Sequence, residues 1–131
     1  MHPTTADNLG KLVLRVVLSV LILLHGIAKI PEGAGGIVGL TESAGLPGFI
    51  GYGVFIGEIL APIMLLLGWH ARIGAALIAI NMLFAIGLMH PDEILMLNQH
   101  GGWQIELQGM YLLTALALVF TGPGKLSINQ R

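Results

Sequence analysis

Four long apolar runs, divided by glycine and proline, take up most of the chain. The first, Leu9 to Ile30, is long enough at ~1.5 Å rise per residue to cross the ~30 Å hydrocarbon core of a bilayer. Arg15, His25 and Lys29 interrupt it. A charge costs on the order of 3 kcal/mol at the centre of an inserted helix, so these residues call for a protein interior or a watered cavity. Asp7 or Asn8 can cap this helix and Pro31 must stop it, which predicts a helix over about 8–30. The glycine-rich stretch Pro31 to Pro47 is too short to span. Ile37, Leu40 and Ala44 recur at helical spacing opposite Thr41 and Glu42, which fits either a short interfacial helix or an irregular loop.

The second run covers 48–68, with Glu58 near its middle and Pro62 a turn later, and a bend is expected beside that carboxyl. Gly68 to Arg72 allows only a tight antiparallel return, with Trp69 as an interfacial anchor. A third helix over 71–90 carries Asn81 and stops at His90-Pro91. The fourth, over 103–122, carries Glu106, Gln108 and Tyr111 and ends at Gly122-Pro123-Gly124. The pattern predicts an all-α fold, a polytopic membrane four-helix up-and-down bundle forming one domain over 1–131.

Composition sharpens this picture. Apolar residues make up 55% and charged residues 10%, with mean hydropathy +0.85, against about 25% charged in ordinary globular chains. Cysteine is absent, which removes disulfides, thiolate nucleophiles, iron–sulfur clusters and cysteine-based zinc sites. The net charge of -1 says nothing about partners, and the lack of a basic patch with interleaved aromatics sets nucleic acid aside. No compact basic region precedes a short apolar core and small-residue cleavage site, so the first helix is read as retained.

Four crossings put both termini and the 68–72 turn on one side, together with Lys11, Arg15, Arg72, Lys125 and Arg131. The other side holds Lys29 with Glu32, Glu42, Asp92 and Glu93, so the positive-inside rule makes the termini cytoplasmic. Sorting by depth then gives two polar layers. The inner one is a buried polar group of Arg15, Glu58 and Asn81, in which the guanidinium can pair with the carboxylate and Asn81 can bond between helices. The outer one is His25, Lys29, His90 and Glu106, with Gln108 and Tyr111 nearby.

Each member has a structural alternative: Lys29 can snorkel to head groups and His25 can be a satisfied interhelical residue. His25 can equally carry protons or hydrogen-bond a quinone carbonyl. No HExxH pair or other signature selects an ion, and no metal is assigned. His2, His70 and His100 fall in tails or connections and are read as solvated, while the methionines are read as packing.

Several short motifs occur in a fixed order: Arg15 with His25-Gly26-Ile27-Ala28-Lys29, Gly45-Leu46-Pro47, Glu58 followed by Leu65-Leu66-Leu67-Gly68 and Arg72, Gly101-Gly102-Trp103 with Glu106, and Gly122-Pro123-Gly124-Lys125-Leu126-Ser127. Together they resemble the DoxX family of small bacterial four-helix membrane proteins. The resemblance implies a multi-pass protein of the bacterial cytoplasmic (inner) membrane linked to redox physiology. Arg15, His25, Lys29, Glu58 and Glu106 match the family's polar positions, whereas His90 and Asn81 enter only from depth. Two functions are expected of such a chain. One is a quinone- or amphiphile-binding subunit or accessory of an oxidoreductase, with a redox partner protein and no covalently bound cofactor. The other is a non-catalytic scaffold, or a small-solute or proton permeation protein, with homo-oligomers possible in either case.

Overall fold

The computed structural model describes residues 3–29, 39, 41–43, 45–53, 56–89 and 92–129, and these are mostly helical with no strand among them. Helix α1 spans Pro3–Lys29, α2 Ala61–Leu67, α3 Ala71–Met89 and α4 Glu106–Thr121. A 3₁₀ turn at Gly48–Tyr52 and a π-helical turn at Ile56–Leu60 lead into α2. Residues 41–43 form a helical turn, in which the Ser43 hydroxyl donates to the Gly39 carbonyl at 2.9 Å. Most of the Pro31–Pro47 connection lies outside the described residues.

Two helix starts differ from the sequence reading. Helix α1 begins at Pro3 and not at Asn8, because proline's missing N–H costs nothing in a first turn. Asp7 and Asn8 therefore sit inside the helix, and Asp7 pairs with Lys11 at 2.7 Å instead of capping. Helix α4 begins at Glu106 and not at Trp103, which belongs to the preceding loop and forms an isolated bridge with Leu97.

The helices pack in a ring, α1 against α2 and α4, α2 against α3, and α3 against α4. Their shared core contains Leu18, Ile22, Leu65, Ile78, Met82, Tyr111 and Leu118, with Ala61, Ala71, Ala75 and Ala115 allowing close backbone approach. The polarity of this assembly is inverted relative to a protein folded in water. Arg15, Ser19, Glu58 and Asn81 are buried, while Val13, Leu24, Ile80 and Phe120 point outward. Apolar side chains on the outside and polar ones within suit a hydrocarbon surrounding. Among the described residues α1 alone is long and apolar enough to cross a membrane by itself, over Thr4–Ala28 at mean hydropathy 2.1. The segments Ile56–Leu67, Ala71–Gly87 and Glu106–Thr121 are apolar but shorter.

Residues 122–129 form a strap across one end of the ring. Ile128 and Asn129 donate backbone N–H groups to the carbonyls of Leu67 (3.2 Å) and Gly68 (3.1 Å), and His70 donates its backbone N–H to Asn129 Oδ1 at 2.9 Å. Lys125 N–H bonds Asn8 Oδ1 at 3.0 Å. The start of α1, the α2–α3 turn and the end of α4 thus lie together.

Candidate functional site

Helix α1 supplies a buried stripe at helical spacing: Arg15, Leu18, Ser19, Ile22 and Gly26. Its two ends do different things. At the strap end, Arg15 is 1% exposed and its Nη2 donates to the Leu126 carbonyl at 2.6 Å. Nε and Nη1 have no hydrogen-bond partner among the described residues, nor does the hydroxyl of Ser19 one turn on. Gly68, left-handed at φ 69°, lies so close to Nη1 that a methyl group there would overlap it.

The other end of the stripe meets the π-helical turn. Pro62 has no N–H to offer the Glu58 carbonyl in α-helical register, and that carbonyl approaches Gly26 so closely that a methyl on Gly26 would collide with it. Glu58 is therefore level with Gly26. From position 15 to position 26 the helix rises ~16 Å, too far for the expected Arg15–Glu58 ion pair, and the guanidinium bonds the strap instead. Asn81 separates from Arg15 in the same way. Its side chain lies against Gly57, 6% exposed, and its amide nitrogen has no partner among the described residues. All three polar residues are buried, but they form no single layer.

His25, next to Gly26, is turned away from the core toward α4. Its ring meets that of Tyr111 edge-on, with centroids 6.0 Å apart and planes at 72°. Glu106 stands on α4 ~7.5 Å nearer the helix start than Tyr111, and its carboxylate turns to the preceding loop, where a methyl on Gly102 would lie 2.8 Å from Oε2. No hydrogen bond or ion pair joins His25 to Glu106. That loop is ordered by Asn98, whose Oδ1 accepts from the N–H groups of His100 (2.9 Å) and Gly102 (3.0 Å). The Lys29 side chain and the whole of His90 lie outside the described residues. Of the expected outer layer, then, the structure gives His25 a partner in Tyr111, a residue the sequence put only in its neighbourhood. A bulky aromatic facing the core from α4 was the available signal.

Tyr111 also lines a groove of about 390 Å³ between α1 and α4, and His25 stands beside that groove through its contact with Tyr111, outside the lining itself. Val13, Leu14, Val17, Leu21, Leu107 and Met110 line it, with Tyr111 and Thr114 as polar exceptions. An imidazole and a phenol beside an apolar channel can each donate to, or accept from, one small polar group. Imidazole can also exchange a proton near neutral pH.

The DoxX family model matches residues 10–91. A Bacillus subtilis protein named "Putative oxidoreductase CatD" is 28% identical over 122 residues, covering 93% of this chain and 86% of that protein. An uncharacterized protein of Haemophilus influenzae is 30% identical over 121 residues, covering 90% of this chain and 87% of that protein. No solved structure matches the chain. With the family model matched over most of α1, α2 and α3, the chain belongs to the DoxX family of membrane proteins.

Proposed function

We propose that this protein is a redox-associated, multi-pass inner-membrane protein that seats a quinone-like amphiphile in the α1–α4 groove. The carrying observation is the His25–Tyr111 contact beside an apolar groove that Tyr111 itself lines. A carbonyl-bearing ring would meet the imidazole and the phenol, and its tail would lie along Val17, Leu14 and Val13. The name of the Bacillus relative supports a link to electron transfer. Quinone reduction takes two electrons and two protons; His25 can relay a proton, whereas the electrons must come from elsewhere, since the chain has no cysteine relay. On this reading, with electrons from a partner protein or a bound cofactor, the protein serves as a binding subunit or accessory of an oxidoreductase.

The groove is the thing to test. His25→Ala and Tyr111→Phe should each weaken binding of a labelled quinone roughly tenfold, the equivalent of one lost hydrogen bond at ~1–1.5 kcal/mol, with the helices intact by circular dichroism. Val17→Trp should block the tail and lower binding further. Parent-like affinity in all three variants would leave a scaffold role. That second reading draws on Arg15, whose one hydrogen bond fastens the protein's own strap.

A further inference from the structure

The strap end of the ring carries a second, unrelated concavity of about 290 Å³, lined by Asp7, Asn8 and Lys11 of α1, Arg72 of α3, and Thr121 and Lys125 at and beyond the end of α4. Three of the chain's six lysines and arginines converge here from three different elements. Asp7 engages Lys11 at 2.7 Å. Among the described residues the side chains of Arg72 and Lys125 have no hydrogen bond or ion pair. Three cations against one carboxylate leave a net charge of +2.

The backbone is shaped around this charge. Gly122, at φ 74°, brings the loop against the Arg72 guanidinium, and a methyl there would stand 2.9 Å from Nε and 3.0 Å from Nη2. Asn8 anchors the Lys125 backbone at 3.0 Å and so fixes where that lysine starts. The cleft has room for roughly ten waters at ~30 Å³ each, enough for a phosphate and the atoms that esterify it. Cations approaching from three sides suit a tetrahedral anion with several oxygens, and a guanidinium can engage two of them at once. The cleft also lies at helix ends, where a spanning α1 would meet the head groups.

We infer that the cleft between Lys11, Arg72 and Lys125 is a binding site for a phosphate-bearing anion. Two sources share that chemistry, an anionic lipid head group and free phosphate. The test uses the purified full chain in a neutral detergent, titrated separately with short-chain phosphatidylglycerol, short-chain phosphatidylcholine and inorganic phosphate, with affinities read from the unfolding midpoint. Stabilisation by phosphatidylglycerol and not by phosphatidylcholine supports the site with a lipid source; equal stabilisation by inorganic phosphate supports it with a free-phosphate source. Arg72→Gln and Lys125→Gln should each weaken the binding anion roughly fivefold, and the double change roughly 25-fold. Arg72→Lys, which keeps the charge, should retain most of the affinity. If the double variant is too unstable to purify, Lys125→Gln alone is compared with the parent, since that side chain is exposed. The inference is overturned if neither anion stabilises the parent more than phosphatidylcholine does, or if the purified charge-removed variants bind as the parent does.

Discussion

The guanidinium of Arg15 is a fastener. Buried on α1, it holds Leu126 and through it the strap, while Nε and Nη1 find no partner among the described residues. A hydrogen bond to a charged group contributes about 1.5–3 kcal/mol, so Arg15→Met should raise the local opening of the strap roughly 10- to 150-fold. Hydrogen exchange at the Ile128 and Asn129 amides reads this directly, since both are held by carbonyls of the α2–α3 turn. Glu58→Leu should leave those amides unchanged and should not rescue Arg15→Met, because the two residues act at opposite ends of the α1 stripe. The sequence made Arg15, Glu58 and Asn81 legible as interior residues, since a polar group in an apolar run must find an inside. It did not make their partners legible. Depth was counted at one rise per residue, and the chain between Gly48 and Leu60 does not follow that rise: a 3₁₀ turn advances ~2.0 Å per residue and a π turn interrupts the α register.

At the level of the helices, Gly26, Glu58 and Pro62 form one device. Proline removes the α-helical donor to the Glu58 carbonyl, that carbonyl lies against α1, and only glycine at position 26 makes room for it. Gly26→Ala should therefore destabilise the protein by about 1–3 kcal/mol through overpacking, lowering the midpoint of thermal unfolding in detergent. Gly10, on the same helix with nothing within 4 Å of an added methyl, is the control. Gly10→Ala should be stabilising by ~0.5–1 kcal/mol from helix propensity alone. Pro62 announced the break in the sequence. The π-helical form of it was hidden, because it depends on a contact with another helix more than thirty residues away in the chain. The start of α1 was hidden for a simpler reason: Asp7 and Asn8 have the chemistry of caps, yet Asp7 pairs with Lys11 one turn on in the same helix and Asn8 holds Lys125 of the strap.

For the molecule as a whole, polar residues inside and apolar ones outside were readable from composition, since a chain with 10% charged residues cannot cover itself in polar groups. The all-helical class followed from the length of the apolar runs. The groove between α1 and α4 did not, because it arises where two outward faces fail to meet. The proposed multi-pass topology carries its own prediction. Lys11, Arg15, Arg72 and Lys125 cluster at the strap end, so a reporter fused after Arg131 should be active only in the cytoplasm. Periplasmic activity of that fusion would invert the orientation. The strap also sets an order of manufacture. Arg15 leaves the ribosome 111 residues ahead of its acceptor on Leu126, so this bond closes only after α2, α3 and α4 have been made. A chain broken off before position 126 lacks that acceptor and should unfold at a lower temperature in detergent than the parent.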